Sequence, residues 1–90
     1  MRATKQPIRD ECLRPAESWT RPTCDEVREV VSRTFTDDQA ARYLGLGSQG
    51  GRTVRRWIKG ESQIPYAAWA LLCEAAGLGC IWKALRQEEL

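Results

Sequence analysis

Apolar residues recur three and four apart along this chain, in short blocks separated by proline, glycine and polar pairs. Val27, Val30, Val31 and Phe35 form the first block. Their spacing predicts a helix over Asp25 to Arg33, with Thr23 and Glu26 as a capping box just after Pro22. Asp25 and Glu26 in its first turn, and Arg33 in its last, suit the helix dipole. Thr36 and Gln39 repeat the capping-box pattern and start a second helix. Ala40, Ala41 and Leu44 line its inner side, with Tyr43 at the edge, and Gly45 is its C-terminal cap. Val54, Trp57 and Ile58 make the stripe of a third helix, which begins at Ser48 as N-cap or nearer Gly51 and stops at Gly60. Leu46, in the turn before it, is expected to plug the core.

Pro65 opens a fourth helix, a position where a missing N–H costs nothing. Tyr66 to Ala76 is apolar on nearly every face, with Glu74 its single charge, so it is expected to form the buried centre of the fold. Gly77 caps it. Leu78, Ile81, Trp82 and Leu85 support a final short helix, with Lys83, Arg86, Glu88 and Glu89 facing water. No sustained alternation signals a strand, and there is no internal repeat. The expected fold is all-α, a five-helix bundle with brief connections.

Ninety residues make one domain with a modest core. Residues 23–90 are expected to form it. Residues 1–22 hold three of the four prolines and no helical period, and read as an irregular arm. Ile8, Leu13 and Trp19 are the residues placed to pin that arm to the body, and its first ten residues are expected to be disordered.

Charge sharpens this picture through its distribution. The chain is only +2 overall. Between Arg42 and Lys59 there are five cations (Arg42, Arg52, Arg55, Arg56, Lys59) and no acid, while the other 72 residues hold nine cations and all twelve acids. At about 100° per residue, Arg52, Arg55, Arg56 and Lys59 fall on one side of the third helix, opposite its apolar stripe. A charged helix face can simply be a solvated face. Here the absence of acids and the helix–turn–helix layout favour a surface that meets phosphate.

Other chemistries lack their residues. The chain has no His, the commonest general base, and no Gly-x-Ser-x-Gly, Walker or dinucleotide fingerprint. No catalytic residue is assigned and no cofactor is implied. Cys12, Cys24, Cys73 and Cys80 have no Cys-x-x-Cys spacing, so they read as buried or idle thiols rather than a metal site. No apolar run is long enough to span a membrane, and the N-terminus carries no secretory pattern. A cytoplasmic protein of bacterial or phage type is the expectation.

The major groove of B-DNA admits a helix, and helix-turn-helix proteins place the second helix of the pair there. On that reading Arg52, Arg55 and Arg56 are the candidates for guanine edges, with Arg52 and Thr53 early in the helix where base contacts concentrate. Lys59 and Arg42 suit phosphate, and Gln49 suits adenine or phosphate. Gly50 and Gly51 would let backbone N–H groups approach a phosphate. Arg2, Lys5 and Arg9 of the arm either enter a minor groove or play no part. Trp57 and Trp69 belong to the core, and Trp82 either closes it or sits in a dimer contact.

At these residues the sequence resembles the Cro/C1-type, lambda repressor-like helix-turn-helix family. The likeness covers about Cys24 to Leu78. It rests on Thr36-Asp-Asp-Gln-Ala-Ala-Arg-Tyr-Leu-Gly, on Arg52-Thr-Val-Arg-Arg-Trp-Ile-Lys-Gly-Glu and on Ile64-Pro65. The resemblance implies a five-helix domain that binds double-stranded DNA, often as a homodimer on a palindromic site, usually in transcriptional control. It also implies that Gln39 contacts phosphate and that Arg52, Thr53 and Arg56 face bases. The Gly45–Gly51 turn departs from the pattern, being roughly three residues longer than usual.

A narrower likeness also exists. Arg55-Arg56-Trp57 followed by Ile64-Pro65-Tyr-Ala-Ala-Trp-Ala-Leu-Leu resembles small proteins of mobile elements and phages, some of them Xer recombination activation factors. That likeness implies a Xer tyrosine recombinase as partner. Two functions therefore follow from the sequence: a DNA-binding transcriptional regulator of a mobile element or phage, and an activator of Xer recombination.

Overall fold

The computed structural model describes residues 8–83, and the chain there is all-α, with no strand among the described residues. Four α-helices form the body: α1 (Cys24–Thr34), α2 (Asp37–Tyr43), α3 (Gly50–Lys59) and α4 (Tyr66–Ala75). Single 3-10 turns lie at Asp10–Cys12, Ala16–Ser18 and Ile81–Lys83.

The two expected capping boxes are present. Thr23 Oγ1 accepts from Glu26 N–H at 3.2 Å while Glu26 Oε1 accepts from Thr23 N–H at 2.7 Å. Thr36 and Gln39 do the same at 3.2 and 2.9 Å. Each box satisfies two backbone donors that the helix itself leaves open. Past α2, Gly45 N–H donates to Arg42 O at 3.1 Å and Leu46 N–H donates to Ala41 O at 3.0 Å. This closure needs a left-handed residue, and Gly45 supplies it at φ 73°. The same pair of bonds closes α4 at Gly77 and Leu78.

Valines 27, 30 and 31 of α1 meet Val54 and Trp57 of α3 and Trp69, Ala70, Leu72 and Cys73 of α4 in one core. Ala40 and Ala41 of α2, Ile64, Cys12 and Ile81 complete it. Trp57 and Trp69 are buried, as their spacing predicts.

Three expectations need correction. The fifth helix is absent from the described residues: its block yields only the Ile81–Lys83 turn there, after Gly77 and Gly79 at positive φ. Leu85, Arg86, Glu88 and Glu89 lie outside the described residues. Leu46 does not plug the core but is 37% exposed. The closure of α2 sets its Cβ over buried Gly50 while the rest of the side chain stays at the surface. Finally, α4 is not buried on every side. It meets α1 and the Ile81 turn, which leaves Leu71 40% exposed beside exposed Ala67.

The arm is docked from Ile8 onward. Ile8, Leu13 and Trp19 pack against the core. Trp69 Nε1–H donates to Cys12 O at 2.7 Å, and Tyr66 Oη donates to Arg14 O at 3.0 Å. Trp19 meets the Tyr66 ring edge-on with centroids 5.0 Å apart, and the Arg21 guanidinium lies over Trp19 while donating to Ile64 O. Arg9 is tied to Glu26 at 2.9 Å, which takes it out of consideration as a groove-seeking arm residue. Arg2 and Lys5, and most of the stretch expected to be disordered, lie outside the described residues.

Candidate nucleic-acid interface

The basic surface is built on the α2–turn–α3 unit. These two helices form the closest-packed pair of elements in the fold. Their approach is tight because Ala41 faces Gly50: a Cβ on Gly50 would lie 2.8 Å from Ala41 Cβ and 2.5 Å from Leu46 Cβ. The long turn is not loose. After Gly45, a hydrogen bond from Gly50 N–H to Gly47 O at 3.0 Å folds the extra residues into a second turn that leads straight into α3.

Helix α3 starts at Gly50 with Gln49 as its N-cap, one residue beyond the Ser48 alternative and one before the Gly51 alternative. Val54 and Trp57 bury one side, with Ile58 half-buried beside them. Arg52, Arg55, Arg56 and Lys59 are all exposed and share an arc of roughly 100° on the opposite side. Thr53 is half-buried at the edge of that arc. Arg42, in the last turn of α2, is also exposed.

The structure thus brings the four α3 cations together. Gln39 and Gln49 are exposed on neighbouring segments, and neither hydrogen-bonds to a cation of α3. Gln39 uses its Oε1 in the capping box. Gln49 makes no side-chain capping bond.

Ion pairs are sparse on this surface. Arg9, Arg28 and Arg33 each pair with an acid at 2.6–2.9 Å. Among the described residues, Arg42, Arg52, Arg56 and Lys59 take part in no ion pair; within the basic arc only Arg55 does, 3.8 Å from Asp38 Oδ1.

Gly50 and Gly51 differ from the sequence expectation. Both are buried, Gly50 under Ala41 and Leu46, Gly51 under the Asp38 carboxylate. Their missing side chains serve helix contact rather than an open phosphate cradle. Asp38 is the residue that sequence reasoning passed over. It read there as part of a capping segment, and its contact with α3 spans a turn whose path no local pattern specifies.

Two transcriptional repressor proteins named KorC, both from Escherichia coli, align with the chain. One is 62% identical and the other 58%, each over 77 residues that cover 84% of this chain and 91% of the relative. The chain belongs to the KorC family. No protein-family model matches the chain, and no solved structure matches it. Membership in the KorC family supports a transcription regulator. Among the described residues no helix is long and apolar enough to cross a membrane.

Proposed function

We propose that this KorC-family protein is a transcriptional repressor that binds double-stranded DNA sequence-specifically, with α2, the turn and α3 as its helix-turn-helix. The observation that carries the reading is the exposed set Arg42, Arg52, Arg56 and Lys59, which form no ion pair among the described residues and lie in a stretch that holds no acid. A duplex supplies the missing counter-charge as phosphates, and counter-ion release drives the association. The repressor name of both relatives points the same way.

In this reading α3 enters the major groove. Arg52 and Arg56 donate to guanine O6 and N7, with Thr53 at the edge of the contact. Lys59 and Arg42 sit on phosphates. Gln39 keeps its Nε2 donors for a phosphate because only its oxygen is engaged in the cap. Gln49 presents a free amide to adenine or to phosphate. A homodimer on a palindromic site, and a mobile element or phage as the setting, are what the Cro/C1 resemblance adds. In the run that suggested a Xer recombinase partner, Ile64, Trp69, Ala70 and Leu72 are buried, so packing accounts for those four residues.

Selection of bound duplexes from a random pool, followed by affinity measurement across salt, tests the reading. A selected site with steeply salt-dependent affinity is expected. No salt-sensitive binding at low ionic strength overturns it.

A further inference from the structure

We infer that Asp38 is a specificity-determining positioning residue, which acts through Arg55 to keep that cation off DNA phosphates. The inference rests on the DNA-binding reading above and adds a residue that the reading does not use. Three residues make the arrangement: Asp38 on α2, Gly51 in the first turn of α3, and Arg55 one turn further along α3. Asp38 Oδ1 lies 3.8 Å from Arg55 Nη1. A Cβ on Gly51 would stand 2.1 Å from Asp38 Oδ1 and 3.3 Å from Arg55 Nη1. Carboxylate and guanidinium therefore meet over Gly51, where no side chain intervenes. The Arg55 head folds back toward the N-terminus of its own helix instead of extending freely.

Position and charge give this geometry its consequence. The first turn of a helix attracts anions, and in an open site that anion would be a DNA phosphate. Here Asp38 already supplies the negative charge there and engages Arg55. Arg55 is the one α3 cation with a counter-ion, whereas Arg52, Arg56 and Lys59 have none among the described residues. A phosphate contact is available on every sequence and carries no information. A guanine edge offers two acceptors to one guanidinium and is available only at the right base pair. With Asp38 in place, a single phosphate is a poor exchange for the carboxylate, and a bidentate base contact is a good one. Asp38 thereby lowers affinity for non-cognate duplexes more than for the cognate one.

The test is a double-mutant cycle on the full-length protein. Affinity is measured for the duplex recovered from random-pool selection and for a scrambled duplex of equal length, across salt, with wild type, D38N, R55A and D38N/R55A. Asp38→Asn keeps the shape and removes the charge. D38N is expected to tighten scrambled-duplex binding roughly fivefold, steepen its salt dependence by about 0.9 in log–log slope, and narrow the cognate preference. The R55A background is expected to abolish that gain, a result that a merely structural role for Asp38 does not produce. The inference is overturned if D38N leaves the scrambled-duplex affinity and slope at wild-type values, or if the gain persists undiminished without Arg55. Wild-type protein with no salt-sensitive binding overturns the DNA-binding reading itself and the inference with it, a different and separately visible result.

Discussion

Arg9 grips Glu26 with a two-pronged contact: its Nε donates to Oε2 and its Nη2 to Oε1, both at 2.9 Å. Arg9 N–H adds a third bond at 3.1 Å, and Thr23 N–H a fourth at 2.7 Å. Glu26 is 2% exposed, so its charge is taken out of water and held almost wholly by these donors. One carboxylate therefore caps α1 and fastens the arm to it.

Glu26→Gln is expected to destabilise the protein by about 1.5–3 kcal/mol, the range for a hydrogen bond to a charged group. The amide can still cap Thr23, so the loss reports the Arg9 contact. Burial pushes the Glu26 carboxyl up, but the Arg9 and Thr23 donors outweigh it and hold the group down at about 2. A carboxyl depressed in the folded state stabilises it fully above the ordinary unfolded value near pH 4.5, and that stabilisation is lost as pH falls toward 2. Melting temperature against pH should fall more steeply below pH 4.5 in wild type than in E26Q. Parallel curves would refute the assignment.

The two glycines that open α3 should respond oppositely to alanine. Alanine is favoured over glycine inside a helix by about 1 kcal/mol. At Gly50 the new Cβ would lie 2.5 and 2.8 Å from two other Cβ atoms, which cannot move without their backbones. Overpacking of about 1–3 kcal/mol should outweigh the propensity gain, so Gly50→Ala lowers stability. At Gly51 the obstacle is the carboxylate end of exposed Asp38, which can swing aside, so Gly51→Ala is neutral or stabilising by up to about 1 kcal/mol. Urea denaturation of the two variants decides it; the reverse order would mean that α2 and α3 do not meet at Ala41 and Gly50.

The proposed DNA contacts separate by how their loss depends on sequence. Arg52→Ala and Arg56→Ala should each cost about 1–3 kcal/mol on the selected site and relax preference at particular base pairs. Lys59→Ala should weaken cognate and scrambled duplexes alike and flatten the salt slope by about 1. A sequence-selective loss at Lys59, or a uniform loss at Arg52 and Arg56, would require a different orientation of α3 in the groove.

Much of this fold is written in local pattern. Thr23 with Glu26 and Thr36 with Gln39 mark two helix starts, since each box closes within four residues. The cationic arc of α3 follows from helical period alone. What the pattern could not supply was contact between distant segments. Nothing near Cys12 announces that its carbonyl receives the Trp69 indole, and nothing near Asp38 announces Gly51 and Arg55. Periodicity also fails where a helix is apolar all round: Tyr66 to Ala76 gives no cue that Leu71 is the side left open. Candidate DNA residues were thus legible as a face, while the acid that meets Arg55 on that face was not.

Cys12 couples the arm to a chemical readout. Its Sγ lies 3.6 Å from Glu26 Oε1 and 3.5 Å from Arg9 Nη2, inside the ion pair that fastens the arm. Burial, reinforced by the Glu26 charge, pushes its thiol up to about 11, and burial pushes Cys73 up to about 12. Alkylation needs the thiolate, and a thiol near 11 offers only about one part in a thousand at pH 8. Both side chains are also sealed from reagent, whereas Cys24 and Cys80 are half-buried. Iodoacetamide at pH 8, followed by peptide mass spectrometry, should therefore label Cys24 and Cys80 first, and Cys12 and Cys73 only as the fold opens. In E26Q the arm loses its clasp, so Cys12 labelling should accelerate and run ahead of Cys73, which is exposed only when α4 itself opens. Cys12 and Cys73 labelled at one common rate would mean that the arm opens only with the whole domain.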